Sequence, residues 1–200
     1  MIRRKTNAIT LFTICVLFGM SLGFISAAST TIVVKDLDGR SRTFFSETNA
    51  SAKALVFIFV LADCPISNSY APELKRLGGA FPQIEFYLVY ADPDIAVADA
   101  RQHSKDYDFG FPGLLDPAHQ LVRKSGVTRT PEAAVFSPKG KLLYRGRIDD
   151  RYLDFDKKRD RPEHRDLENA LQSILQNKAP AWPDKPPVGC FIPTKGQTSL

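Results

Sequence analysis

The sequence is sparing with the residues that usually mark a chemistry. Its 200 residues hold three cysteines, three histidines and one tryptophan. No glycine-rich phosphate loop stands between a strand and a helix, so no organic cofactor is implied. No stripe of lysine and arginine gathers on one segment, which argues against a nucleic-acid partner. The run Asp156-Lys157-Lys158-Arg159-Asp160-Arg161 mixes signs and reads as a solvated loop. Internal repeats are absent, and biased composition is confined to a proline-rich stretch near the end. The apolar share of 44% and the charged share of 24% exclude disorder, collagen and a membrane bundle. The length fits one domain with extensions.

The long uncharged apolar run is at the start. Arg3, Arg4 and Lys5 precede a stretch from about Ala8 to Ile25, and the small residues Ser26-Ala27-Ala28 follow. This is the pattern of a cleavable export signal, with cleavage expected after Ala28. An uncleaved anchor is the alternative, because the run approaches the roughly 18–20 residues that span a bilayer. Gly19, Ser21 and Gly23 interrupt the run and favour the cleaved form. The expected organisation is therefore a signal at 1–28, a folded domain at 29–178 and a tail at 179–200. Location would be periplasmic or otherwise exported, with the membrane engaged only through the signal. Removing 1–28 takes away three basic residues and no acidic ones, so the net charge falls from +5 to +2. Cys15 leaves with the leader. Cys64 and Cys190 remain, in a compartment where disulfides persist.

Strand and helix patterns alternate along the mature chain. Thr30–Val34, a turn at Asp36-Leu37-Asp38-Gly39 and Thr43-Phe44-Phe45 predict a hairpin. Ala54–Leu61 is eight consecutive apolar residues, as in a strand buried on both faces. A helix with Pro72, Leu74 and Leu77 follows, stopped by Gly78-Gly79 and Pro82. Ile84–Tyr90 is a second buried strand, and a helix runs from about Asp92 to Tyr107, with His103 on its surface. Leu114-Leu115 is a short extended piece, and Asp116 is the expected N-cap of a helix with Pro117 at its first position. Ala133–Phe136 and Leu142–Tyr144 form a hairpin, and Leu167, Ala170, Leu171, Ile174 and Leu175 predict an amphipathic helix from about Arg165 to Asn177. Ala179–Pro187 holds four prolines and is expected to be irregular. The class is α/β, with a mixed central sheet flanked by helices.

Cys64 ends the first buried strand and opens the helix after it. A helix N-terminus presents free N–H groups and partial positive charge, which favour the thiolate, and the thiolate is the nucleophile. Pro65 suits a first helical turn, where its missing N–H leaves nothing unpaired. An inert buried cysteine, or half of a structural bridge, is the alternative.

The segment Ala62-Asp63-Cys64-Pro65-Ile66-Ser67-Asn68-Ser69-Tyr70-Ala71-Pro72-Glu73, with Thr130-Pro131-Glu132 and Tyr144-Arg145-Gly146-Arg147-Ile148-Asp149-Asp150, resembles the thioredoxin-like superfamily. It is most similar to the redoxin (AhpC/TSA-like) branch of exported bacterial proteins, over roughly Ile32 to Gln176. The resemblance implies a thioredoxin-like fold and thiol–disulfide exchange with protein or small-molecule thiols and disulfides. Cys64 would be the nucleophile and Pro131 a cis-proline facing it. Thr130 and Pro131 would offer backbone to an extended substrate, with Pro65 and Ser67 beside them.

The departures from the family pattern shape the reading. Ser67 stands where Cys-x-x-Cys proteins carry the resolving cysteine, and a hydroxyl cannot form a disulfide. Cys190 on the tail is the candidate replacement, either as a redox partner or as a structural staple. Peroxiredoxins place Pro-x-x-x-Thr-x-x before their cysteine; here those positions are Phe57 and Leu61, so the peroxide-binding hydroxyl is missing. Copper-delivery relatives use Cys-x-x-x-Cys and a distant histidine, whereas Asn68 occupies the second position. A copper module built from Cys64, Cys190 and His164 or His119 is the binding-protein alternative. A domain that has lost catalysis is another. Glu132 and the Asp149-Asp150 pair either tune the Cys64 pKa or bind substrate; alternatively, Asp149-Asp150-Arg151 is a loop with internal ion pairs.

Overall fold

The computed structural model describes residues 31–46 and 51–196; the export signal read in residues 1–28 lies outside them. Fourteen elements follow in chain order: β1 (Ile32–Asp36), β2 (Ser41–Phe44), β3 (Leu55–Val60), α1 (Pro65–Ser69), α2 (Ala71–Ala80), β4 (Glu85–Tyr90), α3 (Val97–Tyr107), β5 (Gly113–Leu115), α4 (Gln120–Ser125), β6 (Arg129–Thr130), β7 (Glu132–Phe136), β8 (Leu142–Gly146), α5 (Asp166–Leu175) and β9 (Cys190–Phe191).

Seven strands form one sheet in the order β2-β1-β5-β4-β3-β7-β8. β3 runs parallel to β4, and β4 parallel to β5, while the outer pairings are antiparallel. All six residues of β3 are buried, as its unbroken apolar run requires of a strand covered on both faces. Its alternate side chains enter two separate cores. Val56, Ile58 and Val60 pack with Leu74, Leu77, Leu167 and Leu171 from α2 and α5. Leu55, Phe57 and Phe59 pack with Phe44, Phe45, Phe136 and Leu121 on the other face. Phe57 is central to an aromatic group, 5.0 Å from Phe44 and 5.9 Å from Phe136 between ring centres. The mixed sheet with helices on both faces is a thioredoxin-like fold.

Several local expectations are corrected. The helix after Cys64 is broken at Tyr70 into α1 and α2, because Pro72 supplies no N–H and its ring crowds the preceding turn. Gly78 and Gly79 lie inside α2 rather than ending it. His103 is buried, not on the surface. α4 begins three residues later than its proline indicated, after His119. Asp116 nonetheless receives the Gln120 and Val122 N–H groups at 2.7 and 2.9 Å, satisfying the helix start from a distance. The tail is irregular through its prolines but then forms β9, which pairs antiparallel with β6 in a second, two-stranded sheet.

Candidate active site

Cys64 is the N-cap residue of α1, with Pro65 in the first turn. β3 delivers it there, and the Cys64 carbonyl accepts the Asn68 N–H at 3.1 Å, beginning the helix. The side chain of Asn68 ties this loop down. Its Nδ2 donates to the Ala62 carbonyl at 3.0 Å, and its Oδ1 accepts from His103 Nε2 at 2.8 Å. Tyr90 then donates its hydroxyl to His103 Nδ1 at 3.0 Å, which assigns the neutral Nε2–H tautomer. Burial holds the His103 pKa below the ordinary histidine value, consistent with a neutral ring. Sequence reasoning missed this network, because its members come from β4, α3, α1 and the loop before α1.

Cys64 is fully buried, and three groups converge on its sulfur. As a thiol it donates to the Thr130 carbonyl at 3.4 Å. The Thr130-Pro131 peptide bond is cis, as the family resemblance implied. The other two groups are Cys190 and Ser67. Burial alone would raise the Cys64 pKa, but the neighbouring side chains and backbone N–H groups of Cys190 and Ser67 outweigh it. The net direction is down, towards thiolate. Cys190 moves the other way, pushed up to about 12 by burial, by its hydrogen bond to Cys64 and by the negative charge of Cys64 and Asp63. Both cysteines are free thiols in this structure.

The remaining expected site residues separate. Pro65 is exposed beside Cys64. Ser67, like Cys64, is completely buried. Its hydroxyl forms no hydrogen bond of good geometry among the described residues, and neither does that of Thr130. Glu132 does not act on Cys64 directly. Its carboxylate accepts the Thr128 and Arg129 N–H groups at 3.0 and 3.4 Å and so braces β6. Burial raises the Glu132 pKa, although those two N–H bonds and the nearby arginines oppose it. Asp149 is buried and accepts the Tyr70 hydroxyl at 2.6 Å, while Asp150 accepts the Glu163 and His164 N–H groups at 2.7 and 2.9 Å. The two acids are scaffolding for α1 and for the 150–164 loop.

The copper reading loses its histidines. His119 Nε2 bonds the Ala91 carbonyl at 2.9 Å. Among the described residues, the one grouping with ligand atoms close enough for a metal is Asp150, Glu163 and His164, which contains no cysteine. Arg159 pairs with Glu163 at 2.9 Å and with Asp150 at 3.5 Å, so a cation already stands there.

Residues 27–145 match the AhpC/TSA family. The chain belongs to that family. No curated protein matches the sequence. Among solved structures, a hypothetical protein of Sinorhizobium meliloti is 22% identical, with a TM-score of 0.71 over 84% of this chain and 93% of that one. DsbF of MTB, described in mixed oxidised and reduced forms, is 20% identical with a TM-score of 0.53, covering 73% and 96%. A thiol-disulfide oxidoreductase of Bacteroides fragilis is 17% identical with a TM-score of 0.51, covering 58% and 88%. These likenesses establish the thioredoxin-like fold.

Proposed function

We propose that this redoxin is a thiol–disulfide oxidoreductase of the cell envelope, with Cys64 as nucleophile and Cys190 as its resolving partner. One observation carries the reading: β9 pairs with β6 so that Cys190 sits opposite Thr130, the residue whose carbonyl accepts the Cys64 thiol. The cysteine missing at position 67 is thus replaced from the far end of the chain. The leader pattern of residues 1–28 supports the location.

The opposite pKa shifts divide the roles. The Cys64 thiolate attacks one sulfur of a partner disulfide; that S–S bond breaks, and the leaving thiolate takes a proton from solvent. Cys64 is then neutral in a mixed disulfide. The hydrogen bond and charge that held the proton on Cys190 are gone, so its pKa falls and its thiolate forms when it is needed. Attack by Cys190 on Cys64 Sγ releases the second partner thiol and leaves a Cys64–Cys190 disulfide. Two electrons pass from the dithiol to the partner, and the reverse sequence oxidises a dithiol. Because Cys64 is fully covered, β9 must leave β6 for a protein partner to reach it.

The test is a redox titration of the two thiols in graded dithiol/disulfide buffers, with alkylation and mass counting. A two-electron transition at roughly −120 to −270 mV, the span of known oxidoreductases, is expected. A pair that stays oxidised below about −300 mV would make the bridge a staple. Two thiols that never pair would remove Cys190 from the mechanism. Cys190→Ser should accumulate the mixed disulfide, and Cys64→Ser should abolish exchange.

A further inference from the structure

The strand that covers Cys64 is held by side-chain contacts as well as backbone. Cys190 lies opposite Thr130 and Phe191 opposite Arg129. The Ile192 N–H extends the ladder to the Thr128 carbonyl at 3.2 Å. On one side of Cys190, Gly189 lies so close to β6 that a Cβ built on it would run into the Thr130 carbonyl and crowd the Pro131 ring. Only glycine fits there. On the other side, Phe191 is 61% exposed, and the Arg129 guanidinium stands over its ring, 4.0 Å from the ring centre. The same guanidinium donates to the Gly189 carbonyl at 3.3 Å, so Arg129 grips the residues on both sides of the cysteine.

The tail leaves the Phe191 ring on the surface with a cation over it, where an aromatic ring of another chain in the same register would meet the same guanidinium. We propose that β9 holds the place of a protein substrate, so that β6 takes an extended segment with glycine before its cysteine and an aromatic ring after it, Arg129 being the residue that selects the ring. This rests on Cys64 acting as the nucleophile. The substrate is a protein or peptide cysteine held in a disulfide. Its sulfur bonds to Cys64 in the position now taken by Cys190, and the displaced thiol leaves with the electron pair of the broken bond. The tail and the substrate then exclude one another from β6, and resolution follows when the substrate backbone lifts and β9 returns.

The experiment uses the reduced protein and three acetylated pentapeptide amides, Val-Gly-Cys-Phe-Ile, Val-Gly-Cys-Ala-Ile and Val-Val-Cys-Phe-Ile. Each is presented as its mixed disulfide with 5-thio-2-nitrobenzoate. Attack by Cys64 on the peptide sulfur releases the coloured thiolate, which gives a second-order rate constant. The Gly-Cys-Phe peptide should react about two- to five-fold faster than Gly-Cys-Ala, the value of one exposed cation–π contact. It should react more than about ten-fold faster than Val-Cys-Phe, whose Cβ meets a rigid carbonyl. Arg129→Gln should remove the Phe-over-Ala preference and retain the Gly-over-Val preference. Equal rates for the three peptides, or an Arg129→Gln variant that still prefers phenylalanine, would overturn the proposal. The symmetrical nitrobenzoate disulfide separates the two readings. If Cys64 reduces it while the peptides are not distinguished, only the register reading falls. If a Cys64→Ser variant reduces it as fast as the wild type, the oxidoreductase reading falls as well.

Discussion

Closing a bond between Cys64 and Cys190 should stabilise the fold mainly through the unfolded chain. The two positions enclose a loop on the order of 100 residues, for which the chain-entropy model assigns about 4–5 kcal/mol. In the folded protein the β6–β9 pairing already sets Cys190 opposite Thr130, whose carbonyl accepts the Cys64 thiol, so the bond demands little further ordering. The same free energy governs the redox equilibrium, since whatever the disulfide adds to folding, folding adds to the disulfide. At about 1.4 kcal/mol per 30 mV, the folded pair should be more reducing than the same pair in the unfolded chain by roughly 85–110 mV. The assay is urea unfolding of the oxidised and reduced protein, with a Cys64→Ser/Cys190→Ser double variant as the uncrosslinked reference. The oxidised form should exceed the reduced form by about 4–5 kcal/mol. A difference below about 1 kcal/mol would refute the reasoning, because native strain would then have to cancel nearly all of the entropic gain.

Three further outcomes follow from the site. Cys190→Ala removes the strongest stabiliser of the Cys64 thiolate, so the Cys64 pKa should rise, read as a shift of the alkylation-rate profile to higher pH; an unmoved profile would separate the two cysteines. Glu132→Ala leaves the Thr128 and Arg129 N–H groups without their acceptor and should destabilise by about 1–3 kcal/mol in chemical denaturation. The Glu132 pKa is raised in the folded state, so the charged form is disfavoured there. Its contribution to stability is full below the ordinary glutamate pKa and declines as pH rises through the folded value. Glu132→Gln should flatten that decline, and an unchanged pH profile would count against it. Asn68→Ala frees the Ala62 carbonyl and the His103 Nε2–H together, and should both destabilise by about 1–3 kcal/mol and slow Cys64 alkylation; loss of stability with unchanged alkylation would confine Asn68 to the scaffold.

Some of this protein was legible in one dimension because local chemistry decided it. The β3 run is apolar at every position, which only a strand covered on both faces demands. Pro65 after Cys64 marks a helix start at the end of that strand, and the Thr130-Pro131 pair follows the family pattern. Other features depend on which segments meet. α3 reads as a polar surface helix, yet His103 is buried, because Tyr90 and Asn68 supply partners for both ring nitrogens from elsewhere in the chain. Asp116 serves α4 without being its N-cap, a matter of how the intervening loop turns. The tail is the clearest case. Its prolines erase any periodicity, so nothing local assigns Cys190 a strand or a neighbour. Its place is decided by the β6 edge, by the space beside the Thr130 carbonyl that admits only Gly189, and by Arg129 over Phe191. Sequence by itself determined the sheet, the position of Cys64 and the absence of a local partner at Ser67. The tertiary structure decided that Cys190 stands opposite Thr130, because strand register is a property of two segments at once.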